Sequence, residues 1–250
     1  MVRRRSNAIA PLLTGLLLVM AVLNSSDAHV ILDGEVVQAI LLDITRYLKE
    51  TKAGMTEEAR SEALYLLGEK AQHLVELMNM DLMSHGKSLY AELIVKRLQE
   101  YGIRITLVER DKRYVYNLAA FHEYLKRSPR GKRAADIRFR LIAEAFYRSI
   151  GKDGAELVDT DLDGLRKAIL QKEAFLKEYP SYEKTREVRF FLAMDYYRLY
   201  KNSPDLATGR KYEKLSAQTL QEIVKEYPGT AEARAAEITL ERLQRAAEKN

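Results

Sequence analysis

Three segments of this chain end on nearly the same phrase, and the residues after each phrase recur at fixed offsets. YLKRSP, FLKEYP and IVKEYP end at Pro129, Pro180 and Pro228. A small residue follows at five positions, a small or β-branched apolar residue at eight and a leucine at twelve: Ala134, Thr185 and Ala233; Ile137, Val188 and Ala236; Leu141, Leu192 and Leu240. Such self-similarity predicts a stacked helical repeat, a class that usually presents a surface to a partner.

The first two units also contain an aromatic residue near position sixteen or seventeen after the proline, whereas the third has none. The second unit carries the whole phrase, with Tyr179, Thr185, Val188, Leu192, Ala193, Tyr196 and Tyr197. This phrase resembles the tetratricopeptide (TPR) units of bacterial envelope proteins, such as the periplasmic TolA-binding coordinators and the TPR lipoproteins of the outer-membrane β-barrel assembly machine. The resemblance implies a mostly all-α fold, with a TPR-like superhelix of helical hairpins over residues 118–250.

The spacing of the prolines, 51 and 48 residues, exceeds the roughly 34 residues of a standard TPR unit. Two polar loops, Gly151–Gly164 and Lys201–Gly209, are predicted to absorb the excess.

In TPR proteins the first helix of each pair lines a concave face that binds ligands. On the register set by the leucine at twelve, the resemblance places the following partner-binding residues on that face: Asp136, Phe139, Phe146, Tyr147, Glu187, Phe190, Met194, Tyr197 and Arg198. Aromatic side chains with a few charges suit an extended peptide or a partner helix. The alternative is that these aromatic residues form the core between repeats.

Residues 1–28 read as a secretory signal peptide. Arg3, Arg4 and Arg5 precede the apolar run Ala8–Leu23, and small residues favour cleavage after Ala28. The alternative is an uncleaved N-terminal anchor, although the run is shorter than the roughly 20 residues of a spanning helix. The chain has no cysteine, which excludes disulfides, thiol catalysis and lipidation at a lipobox, and exported proteins without disulfides are more typical of a bacterial periplasm.

The segment 29–117 precedes the repeats and has a different pattern. The pattern predicts three helices. The first is capped by Asp33, the second starts at Thr56 and fades near Met80, and the third covers Lys87–Tyr101. Apolar and polar residues then alternate in two short runs over 103–116, which predicts one small β-hairpin.

Three carboxylates precede the second repeat in the run Asp159, Asp161, Asp163 and Gly164, which matches the first half of an EF-hand calcium loop. The twelfth position, which should be glutamate, is Leu170. The stronger interpretation is therefore a helix start with Thr160 as its cap, and calcium is only a weak alternative. We expect no metal and no cofactor.

Removal of residues 1–28 would leave a net charge of +3. This near balance does not indicate a nucleic-acid-binding face. Any contact with a membrane is expected to be peripheral. These observations predict a non-enzymatic periplasmic adaptor, a scaffold that binds a protein or peptide of the cell envelope. Outer-membrane or envelope assembly is one process in which such an adaptor would act. Two alternatives stay open. The first is an envelope enzyme or accessory subunit with its activity in 29–117, and the second is an oligomeric structural spacer.

Overall fold

A computed structural model of the chain describes residues 32–52, 55–88, 90–109, 112–149 and 161–247. Within these ranges the protein is mostly helical, with nine helices and one two-stranded sheet. The described residues form two compact units, 32–137 and 138–247. The predicted signal peptide lies outside the described residues.

The N-terminal unit begins with three helices. They are α1 (Gly34–Lys52), α2 (Glu57–His85) and α3 (Ala91–Glu100). The predicted caps are confirmed: the carboxylate of Asp33 accepts a hydrogen bond from the N–H of Val36 at 2.8 Å, and the hydroxyl of Thr56 accepts one from Ala59 at 3.3 Å. Apolar residues spaced three and four apart bury one face of α1 against α2.

Two helix ends differ from the sequence prediction. Helix α2 continues past Met80 to His85, because Asp81 is buried in its last turn and its carboxylate contacts the His85 ring at 2.8 Å. Helix α3 begins at Ala91 rather than at Lys87. It ends just before Gly102, whose φ of 77° is the left-handed geometry expected of a helix-terminating glycine.

The predicted hairpin is confirmed as β1 (Ile105–Val108) and β2 (Arg113–Tyr116), which pair antiparallel. The side chain of Asn79, on α2, fastens this small sheet to the helices. Its amide nitrogen donates to the carbonyl of Tyr114 at 2.9 Å, and its amide oxygen accepts from the N–H of Tyr114 at 2.6 Å. A two-stranded sheet is marginal alone, so packing on α2 stabilises it.

Helix α4 (Ala119–Arg127) starts directly after the hairpin. Leu118 adopts a left-handed conformation there, with φ 54°. The buried hydroxyl of Tyr116 accepts a hydrogen bond from the N–H of Ala120 at 3.0 Å, so a side chain of β2 satisfies one of the free donors at the start of α4. Burial raises the pKa of Tyr116 to about 12.

Helices α2 and α4 pack closely at a glycine. The ring of Phe121, which is fully buried on α4, lies against Gly68 of α2. A Cβ added at Gly68 would lie well inside van der Waals contact with that ring. The close approach of the two helices therefore depends on the missing side chain.

The remaining helices are α5 (Ala134–Ser149), α6 (Leu162–Glu178), α7 (Thr185–Asn202), α8 (Leu206–Glu226) and α9 (Ala231–Ala247). Consecutive helices from α6 to α9 pack against one another, and α9 also contacts α7. Helix α7 is buried continuously from Phe190 to Leu199, so it has no solvent-facing side along this stretch. It forms the centre of the C-terminal unit.

The three proline phrases share one backbone geometry. The residues before the prolines end their helices at φ and ψ of −131° and 65°, −128° and 58°, and −129° and 51° for Ser128, Tyr179 and Tyr227. Each N–H bonds to the carbonyl four residues earlier, and each carbonyl accepts from the N–H three residues later. The residues five and eight after each proline are buried in all three units. The proline phrase therefore marks a turn that recurs three times in the structure.

The division between the compact units falls between Ile137 and Arg138, and α4 packs on α2 within the N-terminal unit. The expectation that the repeats begin at 118 stays a prediction. The polar loop expected over Lys201–Gly209 is reduced to 203–205, because α7 runs to Asn202 and Asp205 caps α8 by accepting hydrogen bonds from Ala207 and Thr208.

The contact at Gly68 gives a testable prediction. Gly68→Ala should lower the free energy of unfolding by about 1–3 kcal/mol, because overpacking outweighs the gain in helix propensity. Gly209→Ala on α8 is the matched control, since its Cβ would meet its nearest neighbour at 3.7 Å, and it should be stabilising by about 0.5–1 kcal/mol. Urea unfolding measures both, and equal effects from the two variants would contradict the prediction.

A second prediction concerns alkaline pH. Because the pKa of Tyr116 is raised to about 12 in the folded chain, its stabilising effect is fully present below its unfolded pKa of about 10. That effect is lost as the pH rises through about 12. Tyr116→Phe loses the hydrogen bond to Ala120 and should be less stable at pH 8 by about 1–2 kcal/mol. The difference from wild type should narrow between pH 10 and 12 in denaturant unfolding, and a constant difference would contradict this assignment.

Candidate functional site

Five of the residues predicted to line a binding face are buried within the protein. They are Phe146, Phe190, Met194, Tyr197 and Arg198. The first four belong to one apolar cluster, in which the rings of Phe146 and Phe191 stack with centroids 4.2 Å apart. The structure therefore assigns these aromatic and methionine side chains to the core between helices. Their helical spacing was compatible with a binding face and with a core between repeats. Packing around α7 is the reason that these side chains are inaccessible.

The other predicted face residues are only partly buried. Phe139, Tyr147 and Glu187 belong to the C-terminal unit, where Phe139 and Tyr147 lie at the margin of the apolar cluster. Asp136 belongs to the N-terminal unit, and its carboxylate accepts a hydrogen bond from the hydroxyl of Tyr65 at 3.2 Å. Phe139 and Tyr147 lie eight residues apart on α5, and each keeps part of its surface exposed. The ring of Tyr147 packs edge-on against Phe146 and Phe191.

The surroundings of Tyr147 are acidic. Burial, together with the nearby carboxylates of Glu187 and Glu232, raises the pKa of Tyr147. Glu187 pairs with Lys184 at 3.3 Å, and Glu232 pairs with Arg186 at 3.1 Å. Side chains of α5, α7 and α9 thus meet in a small aromatic and charged region, which we call the Tyr147 region: Tyr147, Glu187 and Glu232.

The acidic run before the second repeat forms a helix start in its described part. The carboxylate of Asp161 accepts a hydrogen bond from the N–H of Gly164 at 2.6 Å, and Asp163 pairs with Arg166 at 2.7 Å. The cap is therefore Asp161 rather than Thr160; Asp159 and Thr160 lie outside the described residues. Among the described residues, no group of three or more acidic or histidine side chains is placed to hold a metal ion.

A buried cluster of charges lies inside the C-terminal unit. The ammonium of Lys172 on α6 lies 2.7 Å from Oδ2 of Asp195, and Nη1 of Arg198 donates to Oδ1 of the same carboxylate at 2.9 Å. Exposure is 2% for Lys172, 1% for Asp195 and 0% for Arg198. Two buried cations therefore share one buried anion. We call Lys172, Asp195 and Arg198 the charge triad.

The guanidinium of Arg198 is held on two sides. Its Nη1 also donates to the hydroxyl of Ser149 at 3.0 Å, and its Cζ lies 4.6 Å from the centre of the Phe146 ring. Its Nε and Nη2 are buried without a hydrogen-bond partner. Burial lowers the pKa of Arg198, and the charge of Asp195 opposes that effect.

Sequence analysis did not single out Lys172, although the repeat contains the signal. Eight residues before the three prolines stand Phe121, Lys172 and Leu220. All three side chains are buried. The second repeat therefore places a cation where the other two place apolar side chains, and aligning the repeats on their prolines would have revealed this exception.

In the described part of segment 29–117, the proposed site of an alternative enzymatic activity, His85 is oriented by a buried carboxylate. Nδ1 of His85 contacts Oδ1 of the buried Asp81 at 2.8 Å, while the His85 ring is about half exposed. A carboxylate that fixes an imidazole is a common support for a general base. Here the pair also closes the last turn of α2, which is a sufficient structural role for it.

The charge triad gives a stability prediction. Lys172→Met should leave the free energy of unfolding unchanged or raise it, because Asp195 and Arg198 then form a balanced pair. Asp195→Asn should lower it by about 3–5 kcal/mol, because two buried cations lose their shared anion. Denaturant unfolding of both variants measures the difference. Two equally destabilised variants would show that the triad is no more than a set of interchangeable packing contacts.

No helix in the described part of the chain is both long and apolar enough to cross a membrane. Comparison with protein-family models, with curated proteins and with solved structures finds no match to this chain.

Proposed function

We propose that this chain is a non-enzymatic adaptor of the bacterial periplasm whose TPR-like repeats bind a peptide or a helix of a cell-envelope partner. The observation that carries the proposal is the recurrence of one turn geometry at Ser128, Tyr179 and Tyr227. Repeated helical units with a common turn form extended surfaces more often than catalytic clefts.

The Tyr147 region is the place where such a partner would bind. Binding needs apolar anchors that the partner can reach, and the buried aromatic residues of α7 do not meet that need. Phe139 and Tyr147 retain accessible surface at the edge of the core. Aromatic side chains in a partly desolvated position are frequent binding hot spots.

The charges around Tyr147 indicate how a partner would be oriented. The Glu187 carboxylate has one oxygen paired with Lys184, and its other oxygen, Oε2, is buried without a hydrogen-bond partner. The Glu187 side chain is 12% exposed, so its carboxylate would attract a lysine or an arginine of the bound segment through its charge.

The proposal is tested by capture from the envelope fraction of cells that produce the protein. Tyr147→Ala and Glu187→Gln should each reduce capture of the partner at least about tenfold, consistent with the loss of about 1.4 kcal/mol or more at a hot spot. Quantitative mass spectrometry of the captured proteins measures the loss. Circular dichroism should show near-native helicity for both variants.

Leu170→Ala provides the matched control, because Leu170 is an apolar residue that is 64% exposed on α6. This variant should retain the partner at the wild-type level. A partner that persists in the Tyr147 and Glu187 variants, or that is lost equally from all three, would overturn the proposed binding region.

A further inference from the structure

The charge triad carries an uncompensated positive charge in the interior. Lys172 and Arg198 are basic side chains, Asp195 is the one carboxylate that pairs with them among the described residues, and all three are at most 2% exposed. An unpaired charge in the interior is costly because it loses its hydration without a compensating partner. The triad is therefore short of one negative charge.

We propose that the protein binds a small monovalent anion, with chloride as the reference ion, at the Nε–Nη2 edge of Arg198. Nη1 already donates to Asp195 and to Ser149, at 2.9 Å and 3.0 Å. The opposite edge, formed by Nε and Nη2, is buried and has no hydrogen-bond partner among the residues that the structure describes. Two parallel N–H donors on one edge of a guanidinium are suited to bind a single anion.

Charge favours an anion over water at this edge. A water molecule would satisfy the two donors but leave the extra positive charge uncompensated. A monovalent anion would satisfy the donors and also compensate the charge. The Phe146 ring covers the face of the guanidinium, with its centre 4.6 Å from Cζ. The ion would therefore lie in the plane of the guanidinium.

The repeat comparison indicates that the excess charge is specific to this unit. Lys172 occupies a buried position that is Phe121 in the first unit and Leu220 in the third. An apolar side chain at this position would leave a balanced pair of Asp195 and Arg198. The lysine thus creates the positive charge that the anion neutralises.

The main test measures the thermal stability of the full-length chain at constant ionic strength, with sodium chloride replacing sodium gluconate. A ligand that binds only the folded state raises the Tm in proportion to the logarithm of its concentration. Between 10 and 300 mM chloride the wild-type Tm should rise by about 4 °C. Constant ionic strength keeps general screening the same at every point.

Two variants separate the site from general salt effects. Arg198→Met removes the donors, leaves Lys172 and Asp195 balanced, and should reduce the chloride-dependent rise to below about 1 °C. Arg245→Met removes one positive charge from a side chain that is 73% exposed on α9, and it should keep the full rise. A full rise in Arg198→Met, or no rise in wild type, would overturn the proposal.

Lys172→Met tests the role of the excess charge and does not depend on whether Arg198→Met folds. The rise should be clearly smaller than in wild type, because the remaining pair is neutral; an equal rise would overturn the charge argument. Crystals grown in bromide should give an anomalous peak in contact with Nε and Nη2 of Arg198. A water molecule at that position in place of bromide would overturn the assignment.

Discussion

The C-terminal unit depends on the complete burial of one helix. From Phe190 to Leu199 helix α7 has no exposed residue, so neighbouring helices must cover it on every side. This requirement explains why polar residues of α7 have partners inside the protein: Asp195 lies between Lys172 and Arg198, and the hydroxyl of Ser216 on α8 donates to the carbonyl of Ala193. Most amphipathic helices keep a solvent face and avoid this constraint.

Sequence reasoning was most successful where a local signal has a local cause. The proline phrases predicted three turns whose backbone angles agree within about 15°, and the alternation over 103–116 identified the hairpin. The caps at Asp33 and Thr56 were likewise readable, because a cap needs only its own side chain and the next turn.

The sequence could not separate core from surface in the repeats. Phe190 and Tyr197 lie at positions that the TPR resemblance would place on a binding face, and only the surrounding helices decide that they are buried. Burial depends on contacts between distant segments, which periodicity does not record. The interior lysine escaped notice for a related reason: a charged residue in a helix suggests solvent, and Lys172 is buried by a partner 23 positions away in the chain.

The two hydrogen bonds between the Asn79 amide and the main chain of Tyr114 have a consequence for how the chain behaves in solution. A hairpin has two edges whose free N–H and C=O groups can recruit strands of other molecules. Because the Asn79 amide occupies both main-chain groups of Tyr114, it acts as a neighbouring strand one residue long and ends the sheet there. A single side chain of a helix thus protects this edge of β2 against growth into an intermolecular sheet.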